Sequence, residues 1–261
     1  MSKYSGYMGR VLLLDLSRGE TRDYPWTDRE RELYIGGKAM ASKIMYDNFT
    51  GREDPLGPEN MIIIATGPVT GSFAPSSNRF DISCLSPQTG ISSSSNCGGD
   101  FGFYLKKAGL DAFIIKGRSE KPVWIEIVDG EISLHDAEFL WGMRVTETQD
   151  ALGQELRRLH GPKGRYGMVS IGPAGENLVR YASIISGERA AGRTGTGAVL
   201  GSKNVKAVVA SGSHEIKIHD REKTMEHHKK WTASLKAHPL TGSQLPRLGT
   251  AGPVSYTHLR A

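Results

Sequence analysis

Apolar residues recur in short runs along the chain, and glycine or charged residues bound most of these runs. Short runs rich in β-branched residues between turn signals are typical of strands. The pattern predicts strands at 10–16, 61–65, 80–85, 112–116, 123–128, 131–134, 179–185 and 205–211. A hairpin opens the chain through 21–24, and the pair Asp129-Gly130 suits the tight turn of a second hairpin. The polar serines at 92–95 predict a loop.

Helical spacing of apolar residues predicts three helices, at 28–46, 146–160 and 220–237. Gly36 and Gly37 are expected to interrupt or bend the first, because glycine is a poor helix former. Thr146 and Gln149 resemble a capping box at the start of the second. Pro239 ends the third, which is strongly charged. A change in composition near 212 predicts a domain boundary.

Two segments repeat one order of features. The first contains a Gly-Pro turn at 65–71, an arginine at position 79, a Gly-rich loop at 95–102, a short helix and a strand. The second contains a Gly-Pro turn at 170–176, an arginine at position 189, a Gly-rich loop at 192–201 and a strand. The repeat predicts two halves related by a pseudo-twofold axis, with the two loops facing one another. Coincidence among Gly-rich loops is the alternative.

Composition narrows the function classes. The 261 residues include 32 glycines and carry a net charge of +5, spread along the chain. An ordinary basic surface or a local phosphate site fits that spread better than nucleic acid, because basic residues do not alternate with aromatic ones. No apolar run is long enough for a signal peptide or membrane span. Cys84 and Cys97 form no CxxC pair, so we expect buried reduced thiols in a cytoplasmic protein.

Glycine loops that open helices present free backbone N–H groups, and nearby arginines favour phosphate. Two such loops imply a ligand with two anionic ends or two phosphorylated ligands. The candidate residues are Arg79, Asn96, Gly98 and Gly99 in the first half, and Arg189, Arg193, Gly195 and Gly197 in the second. Gly195, Gly197 and Gly201 also fit a loose dinucleotide pattern, which leaves a nicotinamide or flavin enzyme as an alternative. No nucleophile and base pair is evident, so catalysis must come from a cofactor or from elsewhere.

Five stretches resemble the first domain of the aldehyde ferredoxin oxidoreductases: GRVLLLDLSRGE, ATGPVTGSFAPSSNRFDI, SNCGGDFGFYLKKAGLDAFIIKG, IGPAGENLVRYASI and RAAGRTGTGAVLGSKNVKAVV. The resemblance spans roughly 6–254. It implies an α+β fold of two packed six-stranded sheets with flanking helices and an internal duplication, which carries a tungsten or molybdenum bis-pyranopterin. We expect a pterin-binding domain at 1–212, the start of a truncated helical domain at 213–254, and a non-native tail at 255–261.

The resemblance also implies residue roles. Asn96 and Ala190 would offer backbone carbonyls to a magnesium ion that links the two pterin phosphates. Arg79 would lie between one pterin and a 4Fe-4S cluster, and Arg189 would contact a pterin. The family oxidises small aldehydes, with water, to carboxylates and passes two electrons through the cluster to ferredoxin. The alternatives are an aromatic acyl-CoA reductase subunit, a nucleotide-dependent redox enzyme, or a non-enzymatic electron-transfer or scaffold protein. A homo-oligomer is possible for the full-length protein, and the chain alone is expected to be inactive.

One prediction follows from the missing cysteine ligands. The family's CxxCxxxC run and its fourth cysteine do not occur among these residues, so we expect them in genomic sequence immediately downstream. Sequencing that region checks the expectation, and a long downstream reading frame without the run would contradict it.

Overall fold

A computed structural model describes residues 2–162, 164–249 and 251–252, so the expected tail at 255–261 lies outside the described residues. The chain forms two compact units. The larger contains the chain up to Gly71 together with Asn78–Lys217, and the smaller contains Ser72–Ser77 and the chain from Ile218 onward. The larger unit continues past position 212 because the Gly6 amide donates to the Lys217 carbonyl at 2.8 Å.

The larger unit contains two six-stranded sheets. The first consists of β1 (Val11–Asp15), β2 (Glu20–Asp23), β3 (Ile62–Thr66), β4 (Phe80–Leu85), β5 (Ser92–Cys97) and β6 (Ala112–Lys116), in the order β2-β1-β6-β3-β4-β5. The second consists of β7 (Val123–Val128), β8 (Glu131–Asp136), β9 (Gly167–Ser170), β10 (Ile184–Ser186), β11 (Arg189–Ala191) and β12 (Val205–Ser211), in the order β11-β10-β9-β12-β7-β8.

The helices of the chain are α1 (Asp28–Tyr34), α2 (Gly37–Asn48), α3 (Phe101–Lys107), α4 (Val145–His160), α5 (Pro173–Glu176), α6 (Thr196–Ser202), α7 (Arg221–Ala237) and α8 (Leu245–Leu248). A 3-10 turn at Glu138–Leu140 and a π-helical segment at Leu240–Gln244 complete the described elements. None of the described helices has the length and apolar character that crossing a membrane requires.

The two sheets share one topology, which confirms the predicted duplication. Strand β1 pairs in parallel with β6, and β7 pairs in parallel with β12. Every other neighbouring pair is antiparallel in both sheets. When the first sheet is followed from β2 and the second from β8, the strand directions come in the same order. Strands β7 to β12 occupy the positions of β1 to β6.

The apolar pattern sorts these elements into layers. One core cluster joins the inner faces of both sheets to two short helices, and includes Ile64, Phe101, Ile125 and Val199. Helix α3 contacts β9 and β12 of the second sheet as well as β3 of the first, and α6 contacts β3 and β4 of the first sheet as well as β12 of the second. Each short helix therefore packs against both sheets. Separate clusters hold α2 on the outer face of the first sheet and α4 on the outer face of the second.

Several sequence expectations need correction. The serine segment predicted to be a loop is strand β5, because its hydroxyls find partners: Ser93 donates to the Cys84 carbonyl at 3.0 Å and Ser94 donates to the Asp81 carboxylate. The strand predicted at 179–185 shortens to β10, since the Ala182 amide donates to the Val179 carbonyl in a turn. The short strands β9 and β11 were not predicted.

The helices agree more closely with expectation. The helix predicted at 28–46 divides at its glycines into α1 and α2, and a methyl group on Gly36 would lie 2.6 Å from the Thr66 carbonyl oxygen. Helix α4 begins one residue earlier than predicted. The expected capping box from Thr146 is wrong, because Glu147 accepts from the Arg144 amide instead. In the smaller unit, α7 matches the predicted charged helix and buries no residue.

Lys203 connects the two halves of the larger unit. It follows α6 and is fully buried. Its Nζ lies within hydrogen-bond distance of the carbonyls of Pro58, Asn60 and Gly117, at 3.3, 2.5 and 3.0 Å. These carbonyls precede β3 and follow β6, so one side chain of the second half satisfies two loops of the first. Burial lowers the pKa of Lys203 to about 7, since desolvation disfavours the charged form.

We expect Lys203→Met to lower the free energy of unfolding by about 3 kcal/mol or more, because it leaves buried carbonyls without a donor. The loss should grow with pH. With a folded pKa of about 7, Lys203 is neutral in the folded state and charged in the unfolded state from about pH 7 to about pH 10.5. Across this window the unfolded state binds more protons, so wild-type stability rises with pH.

Denaturant titrations at about pH 7 and about pH 10 measure this difference. Lys121→Met removes an exposed lysine and serves as the control. Equal stability losses in the two variants, or a Lys203→Met loss that does not change with pH, would contradict the account.

Candidate functional site

The candidate site lies where two edge strands meet. Strand β5 is an edge strand of the first sheet, β11 is an edge strand of the second, and the two strands contact one another. The Arg193 amide donates to the Ser95 hydroxyl at 3.1 Å, and Ser86 donates its hydroxyl to the Thr194 carbonyl at 2.8 Å. The structure therefore brings the two Gly-rich loops together, and places Asn96 of β5 and Ala190 of β11 on touching strands.

Arginines from both halves flank Gly98. A methyl group on this residue would lie 3.6 Å from Nη1 of Arg79 and 3.7 Å from Cγ of Arg189. Arg79 directly precedes β4, whereas Arg189 is the first residue of β11. Because β11 corresponds to β5, the two arginines do not occupy equivalent places in the repeat. The order of features read from the sequence therefore overstated their symmetry, although the fold still brings both to one glycine.

The pair Arg79 and Arg189, called the arginine cluster, is exposed, and so is Arg193 of the second loop. No carboxylate among the described residues lies within ion-pair distance of any of the three guanidinium groups. A guanidinium group without a carboxylate partner keeps its positive charge available to an anion. Phosphate or pyrophosphate groups match this arrangement.

Asn96 holds Arg79 in place. Nε of Arg79 donates to the side-chain oxygen of Asn96, and Nη2 lies 3.5 Å from the backbone oxygen of the same residue. The Asn96 amide nitrogen donates to the Phe80 carbonyl at 3.3 Å. The backbone carbonyl of Arg79 accepts from the Thr70 hydroxyl at 2.9 Å. Sequence reasoning found Arg79 and Asn96 but missed Thr70, which it saw only as part of a Gly-Pro turn.

Gly99 opens onto a cleft of about 400 Å³ beside Arg189. Its lining residues are Gly99, Asp100, Phe101, Gln149, Tyr166, Gly167, Met168, Ser186, Gly187, Glu188 and Arg189. Gly99 has φ +94°, and a methyl group on it would lie 2.8 Å from the Ser186 hydroxyl. Only glycine adopts this conformation without strain at such a close approach. Gly99 therefore allows the first loop to pass next to β10.

Gly195 and Gly197 lie elsewhere. Both are buried at the start of α6. A methyl group on Gly195 would lie 2.0 Å from the Arg180 carbonyl oxygen, and one on Gly197 would lie 2.6 Å from the Ser183 carbonyl oxygen. These glycines permit close packing of backbone on backbone. The structure does not bring them to the arginine cluster, and packing accounts for the loose dinucleotide pattern.

The two cysteines are free and buried. Cys84 lies in β4, where desolvation raises the pKa of its thiol to about 12. Cys97 ends β5 beside the cluster, and burial raises its pKa while Arg79 opposes the shift. Within 2–162, 164–249 and 251–252, no three His, Cys, Asp or Glu side chains converge in a way that could hold a metal ion.

Comparison with known proteins identifies the family. The family model for the N-terminal domain of aldehyde ferredoxin oxidoreductase matches residues 11–212. The chain belongs to the aldehyde ferredoxin oxidoreductase family. The chain is 42% identical over 249 residues to the tungsten-containing aldehyde ferredoxin oxidoreductase of Thermococcus kodakarensis, and 40% identical over 247 residues to that of Pyrococcus furiosus. Each alignment covers 94% of the chain and 40% of the relative.

Two further proteins are less similar to the chain. The aliphatic sulfonate oxidoreductase, WOR-like subunit, of Pyrococcus furiosus is 34% identical over 229 residues, which covers 83% of the chain and 36% of that protein. A solved structure, the active site complex BamBC of benzoyl coenzyme A reductase with 1,5-dienoyl-CoA, superposes with a TM-score of 0.83 at 35% identity. The superposition covers 89% of this chain and 35% of the solved chain. The chain thus spans about two fifths of the length of these relatives.

We expect this chain to bind inorganic pyrophosphate in the presence of Mg²⁺. Arg79→Ala and Arg189→Ala should each weaken binding by about tenfold, the loss of roughly one charge-assisted hydrogen bond. Isothermal titration calorimetry measures the affinities. Arg22→Ala removes an arginine from β2, at the opposite edge of the first sheet, and should leave binding unchanged. A comparable loss in Arg22→Ala would show that binding is a general effect of net charge.

Proposed function

We propose that this chain is the cofactor-binding N-terminal part of an oxidoreductase that holds a tungsten or molybdenum bis-pyranopterin. The complete enzyme would oxidise small aldehydes to carboxylic acids, with ferredoxin as electron acceptor in the cytoplasm. The observation that carries the proposal is the junction of β5 and β11, where Arg79 and Arg189 flank one glycine without carboxylate partners. A doubly phosphorylated ligand would compensate this charge from both halves at once.

The residues at the junction fit such a cofactor. Asn96 and Ala190 are exposed and lie on contacting strands, so their backbone carbonyls could serve one magnesium ion. Magnesium prefers oxygen donors and commonly completes its shell with water and phosphate. Arg79, Arg189 and Arg193 would neutralise the remaining phosphate charge. Gly98 lies between Arg79 and Arg189 and places no side chain of its own there.

The cofactor would supply the two-electron redox chemistry, and the protein would bind and orient it. The described residues would contribute no nucleophile or general base to that chemistry. Their tasks would be to hold the phosphate groups and to keep Arg79 facing the ligand. The substrate pocket, the 4Fe-4S cluster and the ferredoxin surface would then belong to the part of the enzyme that this chain does not span.

A related reductase of aromatic acyl-CoA thioesters is the second candidate. The structural similarity to the benzoyl coenzyme A reductase complex supports it, because that complex contains a region with the same fold. Aldehyde oxidation is preferred because the relatives with 42% and 40% identity carry that activity in their names. A nucleotide-dependent redox enzyme has less support, since Gly195 and Gly197 are occupied in packing α6.

We expect the chain alone to purify with far less than stoichiometric tungsten or molybdenum and without aldehyde oxidation, because it would cover the cofactor on one side only. Joining it to the remaining C-terminal part of the Thermococcus kodakarensis relative should restore both. Elemental analysis by mass spectrometry and reduction of a viologen dye with aldehyde measure the two properties.

Variants of the joined protein make this test specific. Arg189→Ala should purify with several-fold less metal than the parent, whereas Arg22→Ala should match it. A folded joined protein without either metal would contradict the proposed function. Stoichiometric metal and turnover in the chain alone would contradict the expectation that it is inactive.

A further inference from the structure

We propose that the Asn96 side chain is a positioning residue that fixes the Arg79 guanidinium without neutralising it. The inference rests on the proposed function, because it assigns this task within the same anion site. It goes beyond the backbone role expected for Asn96, in which only the main-chain carbonyl takes part. The side chain would keep Arg79 oriented toward Gly98, so that the arginine meets the ligand in one geometry.

The first step concerns the amide of Asn96. Residue 96 lies opposite Asp81 in the register of β5 and β4, so its side chain can reach the residue that precedes β4. Its Nδ2 donates to the Phe80 carbonyl at 3.3 Å. That hydrogen bond sets which way the amide faces, because a carbonyl accepts only from the NH₂ end. The side-chain oxygen is therefore left toward Arg79, and it accepts from Nε.

The second step concerns the backbone of Arg79. Its carbonyl accepts from the buried Thr70 hydroxyl at 2.9 Å, and the oxygen of that hydroxyl accepts from the Gly67 amide at 3.1 Å. The Gly-Pro turn thus fixes the arginine's main chain while Asn96 fixes its side chain. An arginine has four rotatable side-chain bonds, and holding them in advance lowers the entropy lost when a ligand binds. Arg79 is accordingly preorganised from both ends.

The third step concerns charge. A guanidinium offers five N–H donors. Asn96 engages the Nε–H with its side chain, and Nη2 lies 3.5 Å from its backbone oxygen, so the two donors of Nη1 remain available. Nη1 lies near Gly98, and the side chain of Arg189 lies near the same glycine. A carboxylate at position 96 would orient Arg79 equally well but would also pair with its charge. A neutral amide combines orientation with full positive charge, which an anion site requires.

Two substitutions separate these effects. Asn96→Asp keeps an acceptor for Nε but adds a negative charge, and Asn96→Ala removes the acceptor. In ¹⁵N-resolved NMR of the chain without ligand, wild type should show a slowly exchanging arginine Nε–H signal that Arg79→Lys abolishes. The Nε–H should still exchange slowly with water in Asn96→Asp and should exchange rapidly in Asn96→Ala. Pyrophosphate affinity in the presence of Mg²⁺ should fall by about tenfold in both Asn96 variants.

The control is Asn177→Ala, which removes an exposed asparagine whose amide donates to the Pro173 carbonyl, and both readouts should match wild type. Thermal unfolding confirms that each variant is folded. An unchanged Arg79 signal and unchanged affinity in Asn96→Ala would overturn the inference. The Arg79 signal could exchange slowly in wild type and rapidly in Asn96→Ala while wild type fails to bind pyrophosphate. That result would support the positioning contact and contradict the proposed function.

Discussion

The candidate site depends on one constraint, the meeting of edge strands β5 and β11 at the junction between the two sheets. Unpaired sheet edges are exposed to unwanted pairing and are usually covered or interrupted. Here each edge is covered by the loop and strand of the other half, through contacts such as Arg193 to Ser95. The same junction sets two backbone segments side by side. A duplicated fold thereby creates one site that neither half contains alone.

The two central helices make this junction possible. Helices α3 and α6 lie in a common core with both sheets and pack across the halves. Helix α6 reaches its place because Gly197 and Gly201 let its backbone approach neighbouring carbonyl groups. Lys203 then ties the end of that helix to loops of the first half. The partly exposed Gly98 and Gly99 lie in the first loop, where Gly98 is flanked by the arginines and Gly99 lets the loop pass next to β10.

Much of this architecture was predictable from the sequence. Four buried strands, β4, β6, β7 and β12, match their predicted bounds, because continuous apolar runs between turn signals leave little ambiguity. Strand β5 was missed because its serines carry no apolar signal, and only their hydrogen-bond partners in β4 show why they form a strand. Strand β11 has three residues and depends entirely on pairing with β10. Such tertiary partners cannot be read from local pattern.

The site was predictable in part for the same reason. Arginine and glycine are recognisable in sequence, so Arg79, Arg189 and the two loops were found. Whether a glycine faces solvent or packs inside a core depends on the helix around it, and the sequence pattern could not separate Gly98 from Gly197. The asymmetry between Arg79 and Arg189 also required the strand order. Asn96 was also found, but the contact between its side chain and Arg79 required the side-chain geometry.

The central claim is that the two halves share one ion at their junction. Replacing Mg²⁺ by Mn²⁺ in the pyrophosphate complex and following paramagnetic broadening of backbone amide signals tests it most directly. The account predicts that the amides of Cys97 and Ala191, which follow the two proposed carbonyl ligands, broaden in parallel as Mn²⁺ is added. Broadening confined to one half, or absent from both, would contradict it.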